Sequence, residues 1–306
     1  MTKLEEKFRL LVDDTLLGFV PDINQEMAER KSVLSYLNDF ESGKWRYRHF
    51  IDFIFNNICE TALSEDERCK LVDEGLSSLR KSAKNLRIST DSGEGSELAE
   101  ILLYGVMKHH YNALPVVPKI YYKQNTQDNA KGADSVHIVL EEDLSFSLWY
   151  GEAKFYTELK EAMKSAITSI KDMISDSKLR KENSIVTSMG ELKKLVKNEE
   201  QYMSIKQKLS SDTSLDNIKP ILHIPILILH ECKITSNYTR LSKEYLNAME
   251  KMYQEVAQHF FEKLDDECGD VSCYRSITFH LIPFPIPSKT EVVSMFKRDA
   301  DFLRED

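Results

Sequence analysis

The sequence predicts an α/β fold of the α+β kind: a mixed central sheet flanked by helices, preceded by a mainly helical N-terminal region. Three observations carry the prediction. Residues 131–156, KGADSVHIVLEEDLSFSLWYGEAKFY, read as a β-hairpin. Residues 221–229, ILHIPILIL, form a nearly continuous apolar run, the mark of a strand covered on both faces. Around these two stretches, apolar residues recur at helical spacing.

In the hairpin, Val136 to Leu140 and Phe146 to Phe155 are apolar runs separated by the polar turn Glu141-Glu142-Asp143-Leu144-Ser145. Centring the hairpin on Asp143 makes facing positions sum to 286. Leu140 then faces Phe146, Ile138 faces Leu148, Val136 faces Tyr150, and Asp134 faces Glu152. Side chains alternate faces along a strand, so the even positions share one face. That face is apolar for six residues and then ends in Asp134, Glu152 and Lys154. Directly opposed Cβ atoms lie roughly 4.5–5.5 Å apart, so two facing carboxylates need a compensating cation. A divalent ion such as Mg²⁺ takes oxygen ligands, and Lys154 stands close enough to reach a metal-bound water or a phosphate. A Glu-x-Lys pair also reads as a surface salt bridge at a strand end, but that leaves Asp134 without a role.

Taken in order, residues 1–90 read as a mainly helical accessory region and residues 91–306 as the main domain. Phe50, Phe53, Ile54, Asn57 and Ile58 give a helical stripe, and Ser64 with Glu67 forms a capping box opening the next helix. Trp45, Tyr47, Phe50 and Phe53 interleave with Lys44, Arg46, Arg48 and His49, so Trp45 to Phe55 is either a partner-docking surface or the start of a helix with its core face. The run Asp91-Ser92-Gly93-Glu94-Gly95 is a turn-rich boundary. A helix follows from Ser96 to His110, with Glu97, Glu100 and Tyr104 on one side. Lys119 to Lys123 reads as a short strand before the hairpin. A helix is expected from Thr157 to Asp176 and another near Met189 to Leu209. Pro225 argues against a regular central strand unless it sits at a bulge. A helix over Ser242 to Leu264, a strand over Arg275 to Ile282 ended by prolines, and a helix from Glu291 to Leu303 complete the chain.

Composition narrows the function. The 306 residues carry a formal net charge of −9, which excludes a free-standing basic DNA-binding protein. The N-terminus MTKLEEKFRLLVDD lacks a signal peptide's apolar core, and no apolar run approaches the roughly 20 residues of a membrane span. Five scattered cysteines (Cys59, Cys69, Cys232, Cys268 and Cys273) fit reduced thiols in the cytoplasm. No Walker-type phosphate loop occurs, so any ATP use falls to a partner. His223 and His230, seven apart, project to opposite faces of a strand and read as structural, as do His109 and His110. Lys178, Arg180, Lys181, Lys193, Lys194, Lys197, Lys206 and Lys208 form the most basic region, a solvated helical face or a DNA-tracking surface.

Asp134 followed by Glu152-Ala153-Lys154, within a helix–three strands–helix–strand order, resembles the PD-(D/E)xK nuclease superfamily over roughly residues 91–285. The segments AEILLYGVM, KGADSVHIV and LWYGEAKFY further resemble the HamA family, the nuclease subunit of Hachiman anti-phage defence systems. That resemblance implies a small metal-dependent deoxyribonuclease paired with a large superfamily 2 helicase, HamB, acting on DNA. By position it implies Glu100, Asp134, Glu152 and Lys154 as catalytic residues, with Glu97 the alternative to Glu100. Asp134, Glu152 and Glu100 would be the ligands of Mg²⁺ or Mn²⁺, with the Ala153 carbonyl a further candidate. A non-catalytic subunit that docks on and regulates a helicase, and a stand-alone restriction or repair nuclease, are the alternatives.

Overall fold

The computed structural model describes residues 10–12, 16–21, 30–87, 95–123, 132–188 and 190–305. The turn-rich boundary at 91–94 and most of the loop before the hairpin lie outside the described residues.

Short strands come first: β1 (Leu10–Val12), β2 (Leu16–Phe19), β3 (Lys31–Val33), β4 (Ser35–Leu37), β5 (Phe40–Glu41) and β6 (Lys44–Trp45). Helices Tyr47–Ala62, Glu65–Lys70 and Gly75–Lys84 follow, the second opened by the Ser64–Glu67 capping box. Among the described residues, the N-terminal region is helical only from Tyr47 onward, and those before it form strands, each too short to show an alternating pattern.

The main sheet runs in the order β3-β11-β10-β9-β8-β7. Its later strands are β7 (Leu114–Val117), β8 (Ser135–Leu140), β9 (Phe146–Tyr156), β10 (Leu222–Glu231) and β11 (Thr278–Ile286). Strands β3, β11, β10 and β9 are parallel, while β8 and β7 are antiparallel to their neighbours. The sheet is thus mixed and flanked by helices, as the sequence implied. The hairpin register is the expected one, from Leu140↔Phe146 through Val136↔Tyr150 to Ser135↔Gly151.

Several boundaries differ from the sequence reading. The strand before the hairpin is Leu114–Val117, and Lys119–Lys123 is a short helix. Pro115 is tolerated in β7 because that strand is the sheet edge and shifts register between Pro115 and Val117. Strand β11 does not stop at Ile282 but runs through Pro283 and Pro285 to Ile286. The carbonyls of Leu281 and Pro283 point to the β3/β4 edge, where Leu34 N–H and the Ser35 hydroxyl donate to them. Alternate residues share a side, so both missing N–H groups face that edge and the ladder with β10 is spared. The helix after the hairpin ends at Met173 and a second begins at Asp176; beyond it, Glu191–Leu195 and Glu199–Lys208 replace one continuous helix, and Met189 lies outside the described residues.

Pro225 sits in β10 without a bulge. The register of β10 on β9 is the same on either side of it, and Gly151 of β9 occupies the facing position. A Cβ at Gly151 would stand 2.2 Å from the Ser135 hydroxyl, 2.8 Å from Leu103 and 3.2 Å from Pro225. Only glycine fits where these elements converge.

The sheet separates two apolar layers. Val136, Ile138, Leu148 and Tyr150 face the helices Leu159–Met173 and Lys243–Cys268. Trp149, Ala153, Phe155, Leu227 and Leu229 face the helices Tyr47–Ala62, Ser96–Tyr111 and Lys289–Arg304. The second layer joins residues on both sides of position 90 in one core. Trp45, Phe50, Phe53 and Phe55 are buried in it, so of the two readings of this segment these side chains follow the one that makes them a helix's core face.

Candidate functional site

Asp134 stands one residue before β8. Its N–H donates to Gly151 O at 2.8 Å, and its carboxylate accepts from Ala153 N–H at 3.1 Å. The ladder ends at Ser135↔Gly151, so Asp134 does not pair with Glu152 as the arithmetic expects; these two bonds instead hold it against Gly151 and Ala153, on either side of Glu152. Glu152 is 5 % exposed and forms an ion pair with Lys154. The Glu-x-Lys pair is therefore a real ion pair, but a largely buried one, not the surface bridge that its spacing alone allows.

Burial pushes the Glu152 carboxyl up, Asp134 pushes it further, and Lys154 with Ser169 offsets only part of this. Lys154 moves the other way from what burial alone dictates, because Glu152 and Asp134 hold its ammonium above the usual range. The two shifts agree once Asp134 is counted: two carboxylates share one lysine.

Glu100 arrives from the other side of the sheet, on the Ser96–Tyr111 helix. Lys123 donates to one of its oxygens at 2.6 Å, while the other oxygen is buried with no hydrogen-bond partner. Burial raises the Glu100 carboxyl first; Lys123 opposes this, and Asp134 and Glu97 add to it. Lys123 comes to Glu100 because the Tyr104 hydroxyl donates to Val117 O at 2.6 Å, fixing the end of β7 from which the Lys119–Lys123 helix starts. Glu97 is differently employed, accepting from the Arg87 N–H at 2.7 Å. Glu100 lines the cleft with Asp134 and Lys154, and Glu97 is not among its lining residues.

The cleft holds about 780 Å³ and opens at the carboxyl ends of the parallel strands. Its far wall is Lys289, whose ammonium donates to Phe155 O at 3.0 Å and lies 4.8 Å from the Phe155 ring centre. The polypeptide leading into Asp134 is anchored from below. Glu182 accepts from Ala133 N–H at 3.3 Å and pairs with Lys119 at 3.0 Å, both side chains being almost wholly buried. A Cβ at Gly132 would meet a Glu182 carboxylate oxygen at 1.5 Å. Lys123, Lys289, Lys119, Glu182 and Gly132 are the residues of this region that the sequence did not single out. Their signals are long-range pairings, which no local pattern reports.

The family model described as HamA matches residues 15–300 of the 306. The chain belongs to the HamA family. It is a Hachiman defence-associated protein. The match begins within the N-terminal strands, consistent with a core shared across position 90. No curated protein matches the chain. In this HamA-family chain, the segments bearing Glu100, Asp134, Glu152 and Lys154 meet at one cleft.

The other candidates are structural. His223 stacks on Trp149 at 4.4 Å and shares a hydrogen bond of 2.9 Å with His280, while His230 bonds Tyr253 on the opposite face. His109 bonds Asn57. In the basic region, Lys194 pairs with Asp66, Lys178 with Asp172, and Arg180 donates to Ser211 O.

The donor set around Asp134 suits a hard cation in its chemistry. Three carboxylates interact electrostatically, two are raised by burial and mutual repulsion, and one Glu100 oxygen is buried without a partner. Among the described residues, no three His, Cys, Asp or Glu side chains stand in a preformed metal cage. Two of the three carboxylates are instead held by lysines, which a binding cation must compete with. Among the described residues, no helix is long and apolar enough to cross a membrane.

Proposed function

We propose that this chain is a metal-dependent deoxyribonuclease and the effector subunit of a Hachiman complex with a helicase partner. The observation that carries the reading is the convergence of Asp134 and Lys154, with Glu100 from a separate helix, on one open cleft, to which Glu152 is joined through its ion pair with Lys154. Family membership supports the defence context.

Asp134 and Glu152 would hold Mg²⁺ or Mn²⁺, and Glu100 would complete the surrounding shell or take part in a second site. Such an ion lowers the pKa of a bound water and neutralises charge building on a phosphate. The chain's own residues do the rest. The ammonium of Lys154, kept protonated by its two carboxylate neighbours, supplies positive charge to a phosphate seated in the cleft. Lys289 offers a second cation on the facing wall. Half-burial of the site keeps the dielectric low, so these charges count for more than they would in water.

Incubation of supercoiled plasmid with the purified chain and Mg²⁺, with and without the helicase and ATP, tests the reading. Magnesium-dependent nicking or degradation that Glu152→Gln and Lys154→Ala both eliminate supports it. Cleavage that persists in those variants removes it.

A further inference from the structure

A second depression lies beside the cleft, between the Leu159–Met173 and Lys243–Cys268 helices, with a volume of about 540 Å³. Lys160, Lys164 and Lys171 stand along one edge and Lys263 on the other, with His259 one turn before it. Met163 and Ile167 lie between them as an apolar floor. Its one acidic lining residue, Glu267, is engaged with Lys171 at 2.9 Å across the far end. Lys263 pairs with Asp266 at 3.2 Å, so the groove's excess positive charge rests on Lys160 and Lys164, in a chain whose net charge is −9.

The position of this groove matters as much as its charge. Lys160 begins the groove and its neighbour Glu161 lines the cleft, so the two depressions meet at the first turn of one helix. That helix is the direct continuation of β9, three residues after Tyr156. A chain of phosphates leaving the cleft past Glu158 and Glu161 would meet repulsion first and then the lysine row.

We propose that the groove between these two helices binds the backbone of a single-stranded nucleic acid whose next segment lies in the cleft. The inference rests on the nuclease reading and specifies where its substrate runs. Lysines on both rims neutralise phosphates, and the Met163–Ile167 floor gives unpaired bases an apolar surface to lie on. A duplex keeps its base faces stacked inside and has no use for that floor. The groove also accounts for DNA contact in an acidic protein.

The test is fluorescence anisotropy of a labelled oligothymidylate with the full chain, at low salt and in EDTA so that no cutting intervenes. The groove variant is Lys160→Gln/Lys164→Gln/Lys263→Gln. A charge-matched control, Lys44→Gln/Lys70→Gln/Lys206→Gln, removes three exposed lysines elsewhere. The groove variant is expected to bind at least about tenfold more weakly and to lose about 2 from the slope of log affinity against log salt, as three lost phosphate contacts require. The control is expected to keep both. Equal binding by the two variants overturns the proposal, as does no binding by wild type at low salt or stronger competition by duplex than by single strand. Failure of the nuclease reading shows itself differently: wild type binds through the groove yet cuts nothing when Mg²⁺ and the helicase are supplied.

Discussion

Lys119 and Glu182 form an ion pair 3.0 Å long in which both side chains are almost completely removed from solvent. Glu182 also accepts from the Ala133 N–H, one residue before Asp134. Breaking one partner of a buried pair leaves an uncompensated charge, which costs about 3–5 kcal/mol. Glu182→Ala is therefore expected to lower the melting temperature sharply. The double variant Lys119→Met/Glu182→Leu, which leaves no charge behind, is expected to recover most of that loss. Thermal melting of the three proteins checks it; equal stability of Glu182→Ala and wild type would show that the pair does not hold this region.

Glu152 makes the metal-free protein less stable as pH rises. Its folded pKa lies above the ordinary carboxyl value of 4.5, at about 8. The unfolded chain thus releases its proton first, and the folded state's advantage, complete below pH 4.5, is lost as pH climbs through 8. Glu152→Gln removes this penalty. It is expected to match wild type near pH 5 and to exceed it in stability by up to a few kcal/mol at pH 9 in EDTA. Denaturant unfolding at the two pH values reads the difference; a gap independent of pH contradicts the assignment.

The histidines act in the opposite direction. Burial lowers His223 and His230 to about 4 and His137 and His280 to about 3, against an ordinary value of 6.5. Stability from these neutral rings is complete above pH 6.5 and is lost as pH falls through the folded values. The protein is expected to lose several kcal/mol between pH 7 and pH 4. Replacing His280 by Phe, which keeps an aromatic ring against Trp149, is expected to flatten that slope. An unchanged slope in a folded variant contradicts the account.

A divalent cation is expected to raise the melting temperature, since a ligand bound only by the folded state stabilises by mass action. At a concentration about 100 times its dissociation constant the gain is about 2.7 kcal/mol. Asp134→Asn is expected to lose most of it. No thermal response of wild type to Mg²⁺ or Mn²⁺, with or without DNA, contradicts a metal site at the hairpin.

Much of this arrangement was legible in the sequence because it is local. The hairpin register follows from alternation around one turn, and it carries Asp134, Glu152 and Lys154 together. Helical periodicity placed Glu100 beside Glu97 on one side of its helix, and the family resemblance, not the periodicity, singled out Glu100. What the sequence concealed is non-local. Lys123 was read as part of a strand because Ile120, Tyr121 and Tyr122 have β propensity, whereas the chain turns helical after Pro118. Strand β11 continues through two prolines because both face one sheet edge, a fact fixed by its neighbours. The aromatic row from Trp45 became core when the 96–111 helix packed against it. Lys119 and Glu182, 63 residues apart, have no shared motif at all.

The central claim is that this cleft cuts DNA when a helicase delivers it. With a net charge of −9 and an acidic site, the chain alone is expected to bind DNA weakly and to cut little of it. The most direct measurement is degradation of duplex DNA by the chain with its partner helicase, ATP and Mg²⁺, comparing wild type with Glu152→Gln and Lys154→Ala. Wild type is expected to degrade the DNA only when the helicase is present and active, and each variant to fall at least about 100-fold below it while remaining folded. Cleavage by either variant at the wild-type rate, or rapid degradation of intact duplex by the chain alone at physiological salt, would contradict the account.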